Sequence, residues 1–203
     1  MMGSEDSLAP LLVEAHVATV VIRINRPPKR NALSQTSLEA LDDIVSQLVK
    51  QTDVRAIIFT GTADVFASGA DIRELQALDA AKAREFAECG QRLFQKIADA
   101  PQLTIAAING PCMGGGLDLA LACDMRVASS NAIFAHPGAN LGIITGWGGT
   151  QRLPRLVGRA RALEMFFTAR RLTSLEALEW NLIDRISDPA LEGALEIIKK
   201  NVP

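Results

Sequence analysis

Gly114-Gly115-Gly116-Leu117-Asp118-Leu119-Ala120 is the stretch on which the reading of this chain turns. It follows an apolar, β-type run, Leu103-Thr104-Ile105-Ala106-Ala107-Ile108, and the turn Asn109-Gly110-Pro111. It continues into the helix-like Leu117–Ala122. Glycines at the mouth of a helix remove the Cβ atoms that would hold a ligand off the backbone. The first helical N–H groups have no intrahelical acceptor and can meet negative charge. Asp118 then stands one turn in. Amide donors beside a carboxylate base suit a reaction that builds an oxyanion and moves a proton. The same glycines also fit a purely architectural turn that lets a helix pack closely on a sheet. No Gly-x-Gly-x-x-Gly and no following Lys-Ser/Thr is present, so neither dinucleotide nor P-loop phosphate binding is specified.

At 203 residues the chain suits one domain with a substantial core. Apolar residues supply 48% and charged residues 22%, the balance of a soluble globular protein. A net charge of −2 argues against a nucleic-acid surface built on bulk positive charge, so no nucleic-acid partner is expected. Basic residues do cluster at Arg26/Lys29/Arg30 and Arg152/Arg155/Arg159/Arg161, where a solvated face and a phosphate site are both open readings. Cys89, Cys112 and Cys123 lack metal-type spacing and are odd in number. They read as reduced thiols, with no metal site expected. The acidic start Met1-Met2-Gly3-Ser4-Glu5-Asp6 has no apolar export segment, and no stretch approaches membrane-spanning length. A soluble, cytoplasmic protein is the expectation.

Residues 11–25 alternate and are rich in Val and Ile, predicting two strands broken near Glu14–His16. After the loop Arg26–Asn31, Ser34 or Thr36 is placed to cap a helix with apolar Leu38, Leu41, Ile44, Val45 and Leu48 at helical spacing. Val54–Thr60 reads as a strand ended by Gly61, followed by helices over 71–78 and 80–99. Leu103–Ile108, Met125–Ala128 and Ala132–Phe134 read as further strands. From Gly148 the pattern is helical, with a break near Arg170–Thr173, a strand at Leu182–Ile186 and a last helix. Strands recurring with intervening helices give the α/β class. With no repeat of fixed period and no low-complexity linker, the expected organisation is a lead (1–10), one core domain (11–187) and a terminal helix (188–203).

Four segments fall in one order: Asn31-Ala32-Leu33; Phe66-Ala67-Ser68-Gly69-Ala70-Asp71-Ile72; Ala107-Ile108-Asn109-Gly110 with Gly114-Gly115-Gly116; and Gly148-Gly149-Thr150-Gln151-Arg152-Leu153. Together they resemble the crotonase family, the enoyl-CoA hydratases and isomerases, over about residues 11–187. The resemblance implies a crotonase-like spiral of repeated ββα units, assembled as a homotrimer or a dimer of trimers. It implies an acyl-CoA thioester as substrate and no separate cofactor. The backbone N–H groups of Ala70 and Gly115 would hold the thioester oxygen, each such donor contributing roughly 3–4 kcal/mol to a transition state. Arg26–Asn31 with Ser68, Ala70, Asp71, Ile72, Gly114 and Gly115 match where relatives cradle CoA. Arg26, Lys29 and Arg30 are the candidates for its phosphates.

The sequence departs from that pattern in two places. Hydratase members place two glutamates over the enoyl group. The first aligns with Asp118 and the second with Gly138, so one acid is a methylene shorter and the other is absent. A methylene withdraws the carboxylate by about 1.5 Å. A misplacement of about 1 Å costs around a hundredfold, and loss of a general acid or base on the order of 10²–10⁴. His136 is the remaining titrating group of that segment, readable as a proton shuttle or as a packing residue. The C-terminal helical segment of relatives is shortened or absent here, which the resemblance reads as either a more open CoA pocket or a cover supplied by a neighbouring subunit.

The leading functional reading is therefore an acyl-CoA enzyme with Asp118 as its sole carboxylate base, moving a proton between carbons, enolising a thioester or assisting decarboxylation. The alternative is a non-catalytic acyl-CoA-binding or assembly homologue. RNA binding, known for one relative with a similar Leu-x-Leu-Ala-Leu-Ala-Cys-Asp stretch, finds little support in the charge. Trp147 falls where relatives line the acyl pocket, so an indole there is expected to narrow it, with core packing as the competing role. Arg152 reads as a helix-packing residue.

Overall fold

Alternating Val and Ile residues build the first hairpin of the computed structural model, which describes residues 9–201. The lead expected over 1–10 lies almost wholly outside them. Strand β1 (Leu11–His16) pairs antiparallel with β2 (Thr19–Ile24), Leu11 opposite Ile24 and His16 opposite Thr19. The turn comes at Val17-Ala18, with Ala18 at φ 53°, two residues later than the sequence implied. Glu14 lies within the strand, its carboxylate 2.6 Å from Arg23 Nε on the paired strand.

Helix α1 (Gln35–Leu48) is capped by Ser34, whose hydroxyl accepts from the Ser37 N–H at 3.1 Å; Thr36 lies inside the helix. Strand β3 (Ala56–Gly61), the short α2 (Ile72–Gln76), α3 (Ala80–Ala98) and β4 (Leu103–Ile108) follow. Next come β5 (Cys112–Met113), α4 (Gly115–Ala122), β6 (Met125–Ala128) and β7 (Ile133–Ala135). The C-terminal third holds α5 (Gly149–Val157), α6 (Arg159–Thr168), β8 (Leu172–Thr173), α7 (Ser174–Glu179), β9 (Arg185–Ile186) and α8 (Ala190–Asn201). The last strand is shorter than Leu182–Ile186, since the Leu182 and Ile183 amides turn back onto Ala177 O to end α7.

Six strands form one sheet in the order β1-β2-β3-β4-β6-β9, parallel except at the β1–β2 edge. Parallel strands covered on both faces read as near-continuous apolar runs, and β3 and β4 do. One face packs Ile57, Phe59 and Ala106 into a core shared with α1 (Leu38, Leu41, Val45) and α3 (Leu93, Phe94, Ile97). The other face, with Val21, Ile58, Ile105 and Val127, is covered by Ala190, Ala194 and Ile198 of α8.

A second sheet, β5-β7-β8, stands at the mouth of α4. The Met113 N–H donates to Ala67 O and the Gly114 N–H to Ala135 O, both at 2.9 Å. Those bonds hold the 66–71 loop and the β7 end against the glycine triplet. The three cysteines are free thiols, Cys112 and Cys123 buried and Cys89 half-buried. Among the described residues no helix is long and apolar enough to cross a membrane.

Candidate active site

Two loops meet at the mouth of α4. Gly69 has φ 110° and Gly114 φ 49°, backbone conformations that favour glycine. A Cβ added to Gly69 would stand 3.6 Å from the Gly115 nitrogen. The parallel bridge to Leu33 is closed by the Leu33 N–H on Gly69 O and the Asp71 N–H on Leu33 O. It therefore passes over the Ala70 N–H. Gly115 is the first residue of α4, where the amide has no intrahelical acceptor. Both residues line a cavity of about 490 Å³, together with Ser68, Gly69, Ile72 and Gly114.

The far wall runs from His136 to Trp147 and includes Gly138, Ile143 and Thr145. Trp147 is buried, wedged between α3 and α4. A Cβ at Gly90 would meet its indole at 2.3 Å and one at Gly115 at 2.2 Å, so both glycines exist to admit the ring. The indole N–H donates to Phe86 O at 3.3 Å, and Phe86 and Phe94 pack on the ring at 5.2 and 5.7 Å between centroids. Trp147 lines the cavity and belongs to the apolar core at once.

Asp118 stands behind this wall. It projects from the first turn of α4, is 0% exposed and is not among the residues that line the cavity. Its Oδ2 accepts from the Thr145 hydroxyl and from the Trp147 N–H, the latter at 3.3 Å. A Cβ at Gly149 would collide with Oδ1 at 2.1 Å, so the carboxyl occupies space left open at the start of α5. Oδ1 has no hydrogen-bond partner, and neither has either nitrogen of the buried His136, whose Nε2 lies 3.6 Å away. Burial pushes the Asp118 carboxyl up to about 7, against the opposing pull of the Thr145 hydroxyl and Trp147 amide. Burial pushes the His136 imidazole down to about 4, and its ring rests on Phe166 at 4.9 Å.

The basic cluster near residue 26 divides. Both terminal nitrogens of Arg26 lie 3.2 Å from Asp71 Oδ2, and Nη1 also donates to Ala32 O at 2.6 Å. Asp71 in turn caps α2 through the Arg73 N–H. These two residues thus tie the 26–32 loop to the 66–71 loop. The side chains of Lys29 and Arg30 have no hydrogen-bond or ion-pair partner among the described residues, and none of Arg26, Lys29 and Arg30 lines the cavity. Arg152 donates to Trp147 O and Gln95 Oε1, at 3.3 and 3.0 Å, tying α5 to α3. Thr145, Phe86 and Gly90 are site residues that sequence reasoning did not single out.

The enoyl-CoA hydratase/isomerase family model matches residues 14–200 of this chain. The chain belongs to the enoyl-CoA hydratase/isomerase family. The short-chain-enoyl-CoA hydratase of Clostridium acetobutylicum is 37% identical over 195 residues, covering 95% of this chain and 75% of that protein. The crotonyl-CoA hydratase of Syntrophomonas wolfei is 41% identical over 191 residues, covering 94% and 73%. The crystal structure of an enoyl-CoA hydratase from Bacillus anthracis superposes with a TM-score of 0.91 at 37% identity, over 95% of this chain and 76% of that one. The crotonase-like spiral expected from the sequence is thus the fold of this family member.

Proposed function

We propose that this protein acts on an acyl-CoA thioester, holding the thioester oxygen with the N–H groups of Ala70 and Gly115 and using Asp118 as its carboxylate base. The observation that carries this reading is the pair of adjacent amides on the cavity wall, one left out of its bridge and the other opening a helix. Negative charge gathering on the oxygen would meet two fixed dipoles in a site walled by apolar side chains, where such donors act most strongly. Ser68, Ile72 and Gly114 border the same space and suit contact with CoA. Lys29 and Arg30, more than the engaged Arg26, suit its phosphates. No cofactor beyond the thioester substrate is needed, because one base can shuttle a proton between carbons. Trp147 floors the acyl end and favours short chains. The protein works as a homotrimer or a pair of trimers, which would give the exposed Phe167 (77%) and Leu175 (70%) a covered environment.

The test is turnover on a panel of 2-enoyl-, 3-enoyl- and malonyl-type CoA thioesters with wild type and Asp118→Asn. The variant is expected to lose on the order of 10²–10⁴ in kcat on the productive substrate. Equal rates on every substrate would remove Asp118 from the chemistry. A second reading, an acyl-CoA binder without turnover, is favoured by the complete burial of Asp118 behind the cavity wall. Calorimetric binding of butyryl-CoA without turnover on any panel member would establish it.

A further inference from the structure

Asp118 needs a route to the cavity, and one side chain supplies it. Among the described residues, Thr145 is the side chain that both lines the cavity and hydrogen-bonds the Asp118 carboxylate. It is half-buried, whereas Asp118 is fully enclosed. His136 also lines the cavity, but its two nitrogens are covered and the nearer is 3.6 Å from Asp118, too far for a hydrogen bond. Ser68, the cavity's other hydroxyl-bearing residue, has no bond to the carboxylate. We infer that Thr145 is a catalytic residue, its hydroxyl relaying a proton between the substrate carbon and the buried Asp118.

This inference rests on Asp118 as the base and names the group that touches the substrate. As the α C–H bond breaks, its proton passes to Thr145 Oγ1 while the Oγ1 proton passes to Asp118 Oδ2. The electron pair left on carbon spreads onto the thioester oxygen held by the Ala70 and Gly115 amides. Returning the proton by the same path to the α or the γ carbon regenerates the hydroxyl and the carboxylate. Nothing is oxidised or reduced and no co-reactant is required. A hydroxyl is suited to the task because it donates to Asp118 and keeps a lone pair free for the incoming proton. The relay also removes the difficulty of the shortened acid, since the reacting carbon need come only within reach of Thr145.

The experiment follows α-proton exchange of butyryl-CoA in D₂O by NMR, which reads proton abstraction whatever the natural acyl group. Wild type, Thr145→Val, Thr145→Ser and Asp118→Asn are compared. Loss of exchange by about 100-fold or more in Thr145→Val, with butyryl-CoA affinity unchanged, and retention within about threefold in Thr145→Ser, is the expected result. A second readout is the pH limb of exchange. The groups facing Asp118 are His136 from the turn after β7, Arg152 from α5 and Cys112 from β5. With those unchanged, residual exchange in Thr145→Val should ionise at higher pH, because the hydroxyl bond that lowers Asp118 is gone.

If Asp118→Asn abolishes exchange while Thr145→Val exchanges at the wild-type rate, the relay is overturned and the base stands. Full exchange in Asp118→Asn, or none in wild type, overturns both. Should Thr145→Val not fold, Thr145→Ser decides, and a folded serine variant without exchange overturns the relay.

Discussion

Two unpartnered groups face each other at the heart of the site, Asp118 Oδ1 and His136 Nε2, and their titrations pull stability in opposite directions. The folded-state pKa of Asp118, about 7, lies above its ordinary value, so its contribution is fully present at low pH and is lost as pH rises toward 7. His136 at about 4 lies below its ordinary value, so its contribution is present above about pH 6.5 and is lost as pH falls to 4. Between those limits the two slopes oppose. His136→Gln removes one of them. Its stability relative to wild type should fall by on the order of 3 kcal/mol as pH rises from about 4 to 6.5. Urea unfolding at several pH values measures this, and a pH-independent difference would rule it out. The pairing of Ala70 with Gly115 was expected from the ordered family motifs, since the glycines alone fit an architectural turn equally well. Thr145 was not. A threonine in a glycine-rich loop carries no periodicity, and its bond to Asp118 depends on where α5 begins in space.

At the scale of elements, α3 and α4 are keyed together by one indole. Gly90 and Gly115 each leave a space that Trp147 fills, so the spacing of the two helices and the floor of the cavity are one quantity. Gly90→Ala should cost about 1–3 kcal/mol by overpacking against the ring. Trp147→Ala should cost about 3–5 kcal/mol and open the cavity, and on the proposed acyl-CoA reading it should raise turnover of medium-chain relative to C4 thioesters. In the Trp147→Ala background the methyl that Gly90→Ala adds should cost nothing or restore some stability. A double-mutant cycle from thermal or urea unfolding reads this coupling, and strict additivity would refute the keying. The long elements were readable from pattern alone: α1, α3 and β4 recur in sequence with apolar spacing that matches their buried faces. The strands β5 and β9, two residues each, were missed or overdrawn because they are defined by distant partners, β7 and β6. Two residues hold no period.

For the whole molecule, the parallel sheet has two apolar faces, and the second depends on α8. Ala190, Ala194 and Ile198 shield Val21, Ile58, Ile105 and Val127. Each large apolar side chain uncovered forfeits about 1.5–3 kcal/mol. A chain ending at residue 187 should therefore fail to accumulate as soluble folded protein; a cooperative thermal transition in that truncation would show that the sheet can do without its cover. The fold class followed from the alternation of strands and helices and from the ordered motifs, whereas that reliance on α8 needed the packing to be seen.

Gly138 has a consequence for anyone wishing to write new chemistry into this cavity. Its carbonyl accepts from the Ile143 N–H at 3.0 Å, and a Cβ there would lie 2.5 Å from Ile143 O, so the loop doubles back across the position. A glutamate installed at 138 meets main chain, and a second acid there calls for a re-laid loop rather than one altered codon. Gly146, on the same wall, would bring its Cβ only to ordinary contact with Ala87 at 3.7 Å. The shape of the loop thus names the opening a designer can use, Gly146 rather than Gly138.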